Sequence, residues 1–203
     1  MRNRIGSLLH SDSRQTTLSW IDCHTMTTCL VPFLGVRCLD IHMFSSSVVT
    51  QSIAQLYTEA YEGAQDPSST WFTDNLPDAG VLGTLESLSA AQASQSIGDP
   101  DLQGSTIAAH TEHLRWSLAL ANALARGEQS ESPWEESWLV RTVNPEEWDR
   151  LRLALRSEYR ALLQAIQAQS DLPAELVTPG IAIVAHAAYH LGAIRRMVSV
   201  VKR

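Results

Sequence analysis

Three observations predict an all-α fold, a four-helix bundle with one extra short helix. Apolar residues recur every three to four positions from Met43 onward, cap and stop residues punctuate those stretches, and no strand or βαβ pattern competes. Residues 1–42 break that regularity. They hold all three cysteines, Cys23, Cys29 and Cys38, together with His10, His24 and His42, and show no sustained period or cap. The cysteine spacings, CxxxxxC and CxxxxxxxxC, do not match a structural zinc knuckle. We read 1–42 as an unstructured leader, translated upstream of a start at Met43, and 43–203 as one helical domain.

The first helix spans 47–62, with Ile53, Leu56, Tyr57 and Ala60 on one side and Gly63 as its stop. A shorter amphipathic stretch over 78–94 carries Val81, Leu82, Leu85 and Leu88, and the turn-rich run 96–104 reads as loop. The next helix starts at Ser105 or Thr106, either of which can accept a backbone N–H, and ends at Gly127. Residues 128–143, with Pro133, Trp134 and Trp138, are too irregular for a long helix. Asn144-Pro145-Glu146-Glu147 then opens a helix to about residue 169, with a cap, a proline at the first helical position and acids against the dipole. Its inward residues are Trp148, Leu151, Leu155, Tyr159, Leu162 and Ile166. Thr178-Pro179 repeats the same grammar and starts the last helix, which runs to about residue 201.

The chemistry sits on two of these helices. His186 and His190 are four residues apart, one helical turn, on the stripe shared with Ile183, Ala187, Ile194, Met197 and Val201. Two buried imidazoles on one stripe can both satisfy a ring nitrogen through one shared cation. On the helix over 105–126, Thr111, Glu112, Arg115, Asn122 and Arg126 cluster on one side, which turns both His110 and His113 inward. Either completes a three-histidine set with coordination positions left over, as catalytic zinc sites are built, while the other donates to a supporting partner, Glu112 or Tyr189. Ser117 leaves room beneath a ring. Trp134 and Trp138 either cover the mouth of that site or seal one end of the bundle.

Two blocks, TIAAHTEHLRW (106–116) and AHAAYHLGAIR (185–195), resemble the DinB-like (DinB/YfiT-type) superfamily of putative metalloenzymes over about 47–201. The resemblance implies a four-helix bundle and a divalent metal (zinc, nickel or iron). It places the ligands at His186, His190 and, seven residues after Thr106, His113 rather than His110. It also implies a metal-dependent enzyme of thiol-dependent S-transferase or hydrolase type, with a low-molecular-weight thiol as co-substrate of the transferase, and frequently a homodimer. The residues themselves name no general base. The competing reading is a non-catalytic bundle in which any metal only staples helices together. A di-iron bundle needs inward glutamates with paired ExxH, and a zincin needs HExxH, none of which occurs.

A net charge of -7 with a single lysine, Lys202, and no basic run argues against nucleic acid. We expect no membrane span, because no uninterrupted apolar run reaches about 20 residues, and we expect a cytoplasmic protein acting on a small molecule. Tyr57 and Tyr61 are expected on an exposed side of the first helix, where a second copy would pair.

Overall fold

The computed structural model describes residues 46–128 and 133–203. The leader 1–42 and the start at Met43 lie outside the described residues. Within them the fold is all-α, with no strand. In chain order the helices are α1 (Ser46–Glu62), α2 (Val81–Glu86), α3 (Ala90–Ser94), α4 (Ile107–Ala125), α5 (Pro145–Gln167) and α6 (Ala174–Val201), with a short 3-10 helix at Trp134–Trp138.

Four long helices pack side by side: α1 lies against α5 and α6, and α4 lies against the same two. Side-chain pairings give their directions. Thr106 and Arg141 meet near one end of α4 and α5 while Asn122 and Glu158 meet further along, so these two helices run parallel. His110 meets His190 and His113 meets His186, so α4 and α6 run antiparallel. The parallel pair requires a long crossover, which is the irregular stretch between α4 and α5 that carries the 3-10 helix.

α5 follows its sequence signals closely. Asn144 Oδ1 accepts from Glu147 N at 2.9 Å while Glu147 Oε2 accepts from Asn144 N at 2.8 Å, a complete capping box. All six residues expected inward are buried. At about 1.5–3 kcal/mol per large apolar side chain against about 1 for a cap, packing anchors this helix and the cap sets where it begins. Trp148 adds a donor, its indole N–H reaching Leu88 O at 2.9 Å.

Elsewhere the structure departs from expectation. The stretch 78–94 divides into α2 and α3, because Ser89 caps a new helix with Gln92 in a second capping box. α6 begins at Ala174, five residues before Pro179, which lies inside the helix. An internal proline deprives one carbonyl of its partner, but the residues flanking it are held by tertiary contacts. Leu172 N donates to Thr50 Oγ1 at 3.0 Å, Val177 lies against the core, and Gly180 sits so close that a Cβ there would be 2.9 Å from Ile53 Cδ1. With that extension α6 is long and apolar enough, by length and composition, to cross a membrane, with a mean hydropathy of 1.3 over its best window. It packs against α1 and α4 and buries His190.

Tyr57 and Tyr61 are both buried, not exposed, and form a cluster with Tyr159 at centroid separations of 4.9 to 5.3 Å. They offer no surface to a second copy. Thr111 and Asn122 are buried as well. The polar side of α4 that periodicity turned toward solvent faces α5, where Asn122 Nδ2 donates to Glu158 O and Oε2 at 2.9 and 2.7 Å.

Candidate metal centre

Thr106 fixes the start of α4 twice over. Its Oγ1 accepts from Ala109 N at 3.1 Å and donates to Arg141 O at 2.8 Å, tying the crossover to the helix end. One turn on, His110 and His113 are 8% and 1% exposed, so both point inward as their spacing requires. On α6, His190 is 2% exposed and His186 half-buried.

Because α4 and α6 are antiparallel, their histidines meet in crossed pairs. His113 Nε2 and His190 Nε2 each lie 3.0 Å from His186 Nε2, and one ligand atom from each of the three lies within 4.8 Å of the others. Neighbouring nitrogens around a tetrahedral ion with bonds of about 2.0–2.1 Å are on the order of 3.3 Å apart, and nearer about 3.0 Å in octahedral geometry. Two of the three separations therefore match one coordination sphere, and the third is within 4.8 Å. His110 does not join this group. Its Nδ1 lies 2.8 Å from His190 Nδ1, on the outer edge of that ring.

Burial lowers all four imidazole pKa values, because a charged ring loses its hydration there. His113 falls to about 4, with the charges of His186 and His110 adding to burial. His190 falls to about 2, with His186, His110 and His113 adding. For His110 a hydrogen bond to the Gly104 main chain partly opposes burial. All four rings are neutral at pH 7, the form a metal ligand requires.

Trp138 and Trp134 do more than close one end of the molecule. Trp138 stacks on His113 with centroids 4.0 Å apart and an interplanar angle of 15°, while Trp134 meets the same ring edge-on at 4.6 Å. Between them stands Ser137, fully buried, which the sequence reading missed. Its Oγ lies 2.8 Å from His113 Nδ1 and donates to Trp134 O at 2.6 Å. A lone serine inside an aperiodic, tryptophan-flanked segment gives no signal of its own.

The expected supports behave differently. Glu112 forms a bidentate ion pair with Arg115 at 2.6 and 2.7 Å. Tyr189 is 70% exposed and presents itself edge-on to His190 at 5.0 Å. Ser117 Oγ donates to His113 O at 2.8 Å and stays off the ring. No family model, curated protein or solved structure matches the chain.

Proposed function

We propose that this chain is a DinB-like helical-bundle protein in which His113, His186 and His190 hold one divalent ion, zinc, nickel or iron, and that it is a metal-dependent enzyme of thiol-dependent S-transferase or hydrolase type. The convergence of three neutral Nε2 atoms from two helices carries this reading. A divalent ion in that position supplies Lewis acidity, which makes a water or low-molecular-weight thiol acidic enough to serve as a nucleophile near neutral pH.

The protein's own groups orient and shield. Trp138 and Trp134 cover two sides of His113, and Ser137 holds its outer nitrogen. Among the described residues the ligand group consists of these three side chains, with no carboxylate or thiolate joining it. Three protein ligands are the count of catalytic sites, whereas stapling sites use four. That count favours chemistry over the non-catalytic alternative. The same reading describes a cytoplasmic protein that acts on a small molecule, without nucleic acid or membrane, and that pairs as a homodimer through a face other than Tyr57 and Tyr61.

Elemental analysis of the full-length protein tests this directly. We expect about one equivalent of zinc, nickel or iron per chain, and essentially none in a His186→Ala, His190→Ala double variant. Equal metal in both would refute the site. With metal present, turnover of an electrophile only when a small thiol is added selects the transferase, and thiol-independent ester or amide cleavage selects the hydrolase.

A further inference from the structure

Hydrogen bonds on the outer edges of the histidine rings decide where their protons sit. Ser137 spends its one hydroxyl proton on Trp134 O, so toward His113 Nδ1 its oxygen can only accept. His113 therefore carries its proton on Nδ1, and the Nε2 lone pair faces His186.

A second chain of bonds does the same for His190. The bare His113 Nε2 lies 3.0 Å from His186 Nε2 and needs a donor there, so His186 carries its proton on Nε2. His190 Nε2 lies 3.0 Å from the same His186 Nε2–H and must therefore be bare, which puts the His190 proton on Nδ1. The His110–His190 bond at 2.8 Å then runs from His190 Nδ1–H to His110 Nδ1, and the His190 Nε2 lone pair points inward. Two inward lone pairs now lie 3.0 Å from His186 Nε2. They repel unless a proton or a cation lies between them.

We propose that Ser137 and His110 are positioning residues that set the tautomers of His113 and His190 before any ion binds, and that His186 alone changes tautomer on binding, its proton passing from Nε2 to Nδ1. This rests on the metal-site reading above. In the metal-free protein His186 Nε2–H is the donor that both lone pairs need. On loading, that proton goes to water and Nδ1 takes one from water, so the ring stays neutral. His186 suits the part because it is the half-buried member of the set, while the two fixed ligands are enclosed. Two rings are thereby oriented in advance, and only one reorganises.

The test is long-range 1H–15N NMR of the histidine rings in full-length, chelator-treated protein at about pH 7.5, where unperturbed imidazole is already neutral. We expect Nδ1–H tautomers at His113 and His190 and Nε2–H at His186, with His186 alone converting to Nδ1–H on adding Zn2+. Ser137→Ala should scramble the His113 tautomer and His110→Ala that of His190, each weakening Co2+ affinity about 10–100-fold. Ser137→Thr and His110→Gln, which restore an acceptor, should recover much of both. An Nε2–H tautomer at His113 or His190 in the metal-free wild type overturns the proposal. So does Co2+ uptake that neither alanine variant weakens. A wild type that takes up no Co2+ overturns the metal site itself, and the proposal with it.

Discussion

Adding Zn2+ to chelator-treated protein should raise its thermal midpoint by about 5–11 °C. A ligand bound only by the folded state at about 100 times its dissociation constant adds about 2.7 kcal/mol. A chain of this length gains about 2–4 °C per kcal/mol. The gain should be large here because the three nitrogens come from α4 and α6, helices far apart in sequence, so no comparable site survives unfolding. The His186→Ala, His190→Ala double variant should show no shift. Differential scanning calorimetry with and without the ion measures it, and a shift retained in the variant would place the stabilising ion elsewhere.

The second large effect lies away from the histidines. Glu59→Ala should destabilise the protein by about 3–5 kcal/mol and loosen the connection between α1 and α2. Glu59 is buried, and its Oε1 accepts from Trp71 N, Phe72 N, Thr73 N and Thr73 Oγ1, each at 2.9 Å. Removing it strands three amides and a hydroxyl, each costing about 1–3 kcal/mol when left unpaired, less where water can reach. The ion pair between Asp74 and Arg195 is exposed and cannot hold the loop by itself. Limited proteolysis between residues 64 and 79 should accelerate accordingly.

The pH dependence of that loss has a definite sign. Burial raises the Glu59 pKa, but the N–H groups of Phe72 and Thr73, the Thr73 hydroxyl and the Trp71 N–H outweigh it and hold the carboxyl below its ordinary value of 4.5. Below 4.5 the unfolded chain binds the proton first, so stability falls with pH. The carboxylate's contribution is complete above about pH 4.5 and disappears as pH drops through the folded value. The stability gap between wild type and Glu59→Gln should therefore be constant at neutral pH and shrink in acid. A gap unchanged down to pH 3 would contradict the hydrogen-bond account.

What the sequence disclosed depended on whether a signal was local. Asn144, Pro145 and Glu147 mark the start of α5 wherever they occur, and its six core residues follow from helical period alone. The split at Ser89 was equally local, since Ser89 and Gln92 form a capping box that a single amphipathic stretch concealed. The start of α6 was not local. Thr178-Pro179 has the form of a helix start, and only tertiary contacts, Leu172 N to Thr50, Val177 against the core and Gly180 beside Ile53, move that start back to Ala174. Tyr57, Tyr61, Thr111 and Asn122 were misjudged for a related reason, because periodicity identifies faces but not what covers them. In the candidate metal centre, period turned four histidines inward and no more. The antiparallel meeting of α4 and α6 separates His113 from His110, and Ser137 enters from a segment with no period to read.

Zinc K-edge X-ray absorption on the loaded full-length protein is the most direct measurement of that centre. The account predicts one zinc per chain with three imidazole nitrogens at about 2.0–2.1 Å. A shell with one imidazole or none, or a shell identical in the His186→Ala, His190→Ala variant, would contradict it.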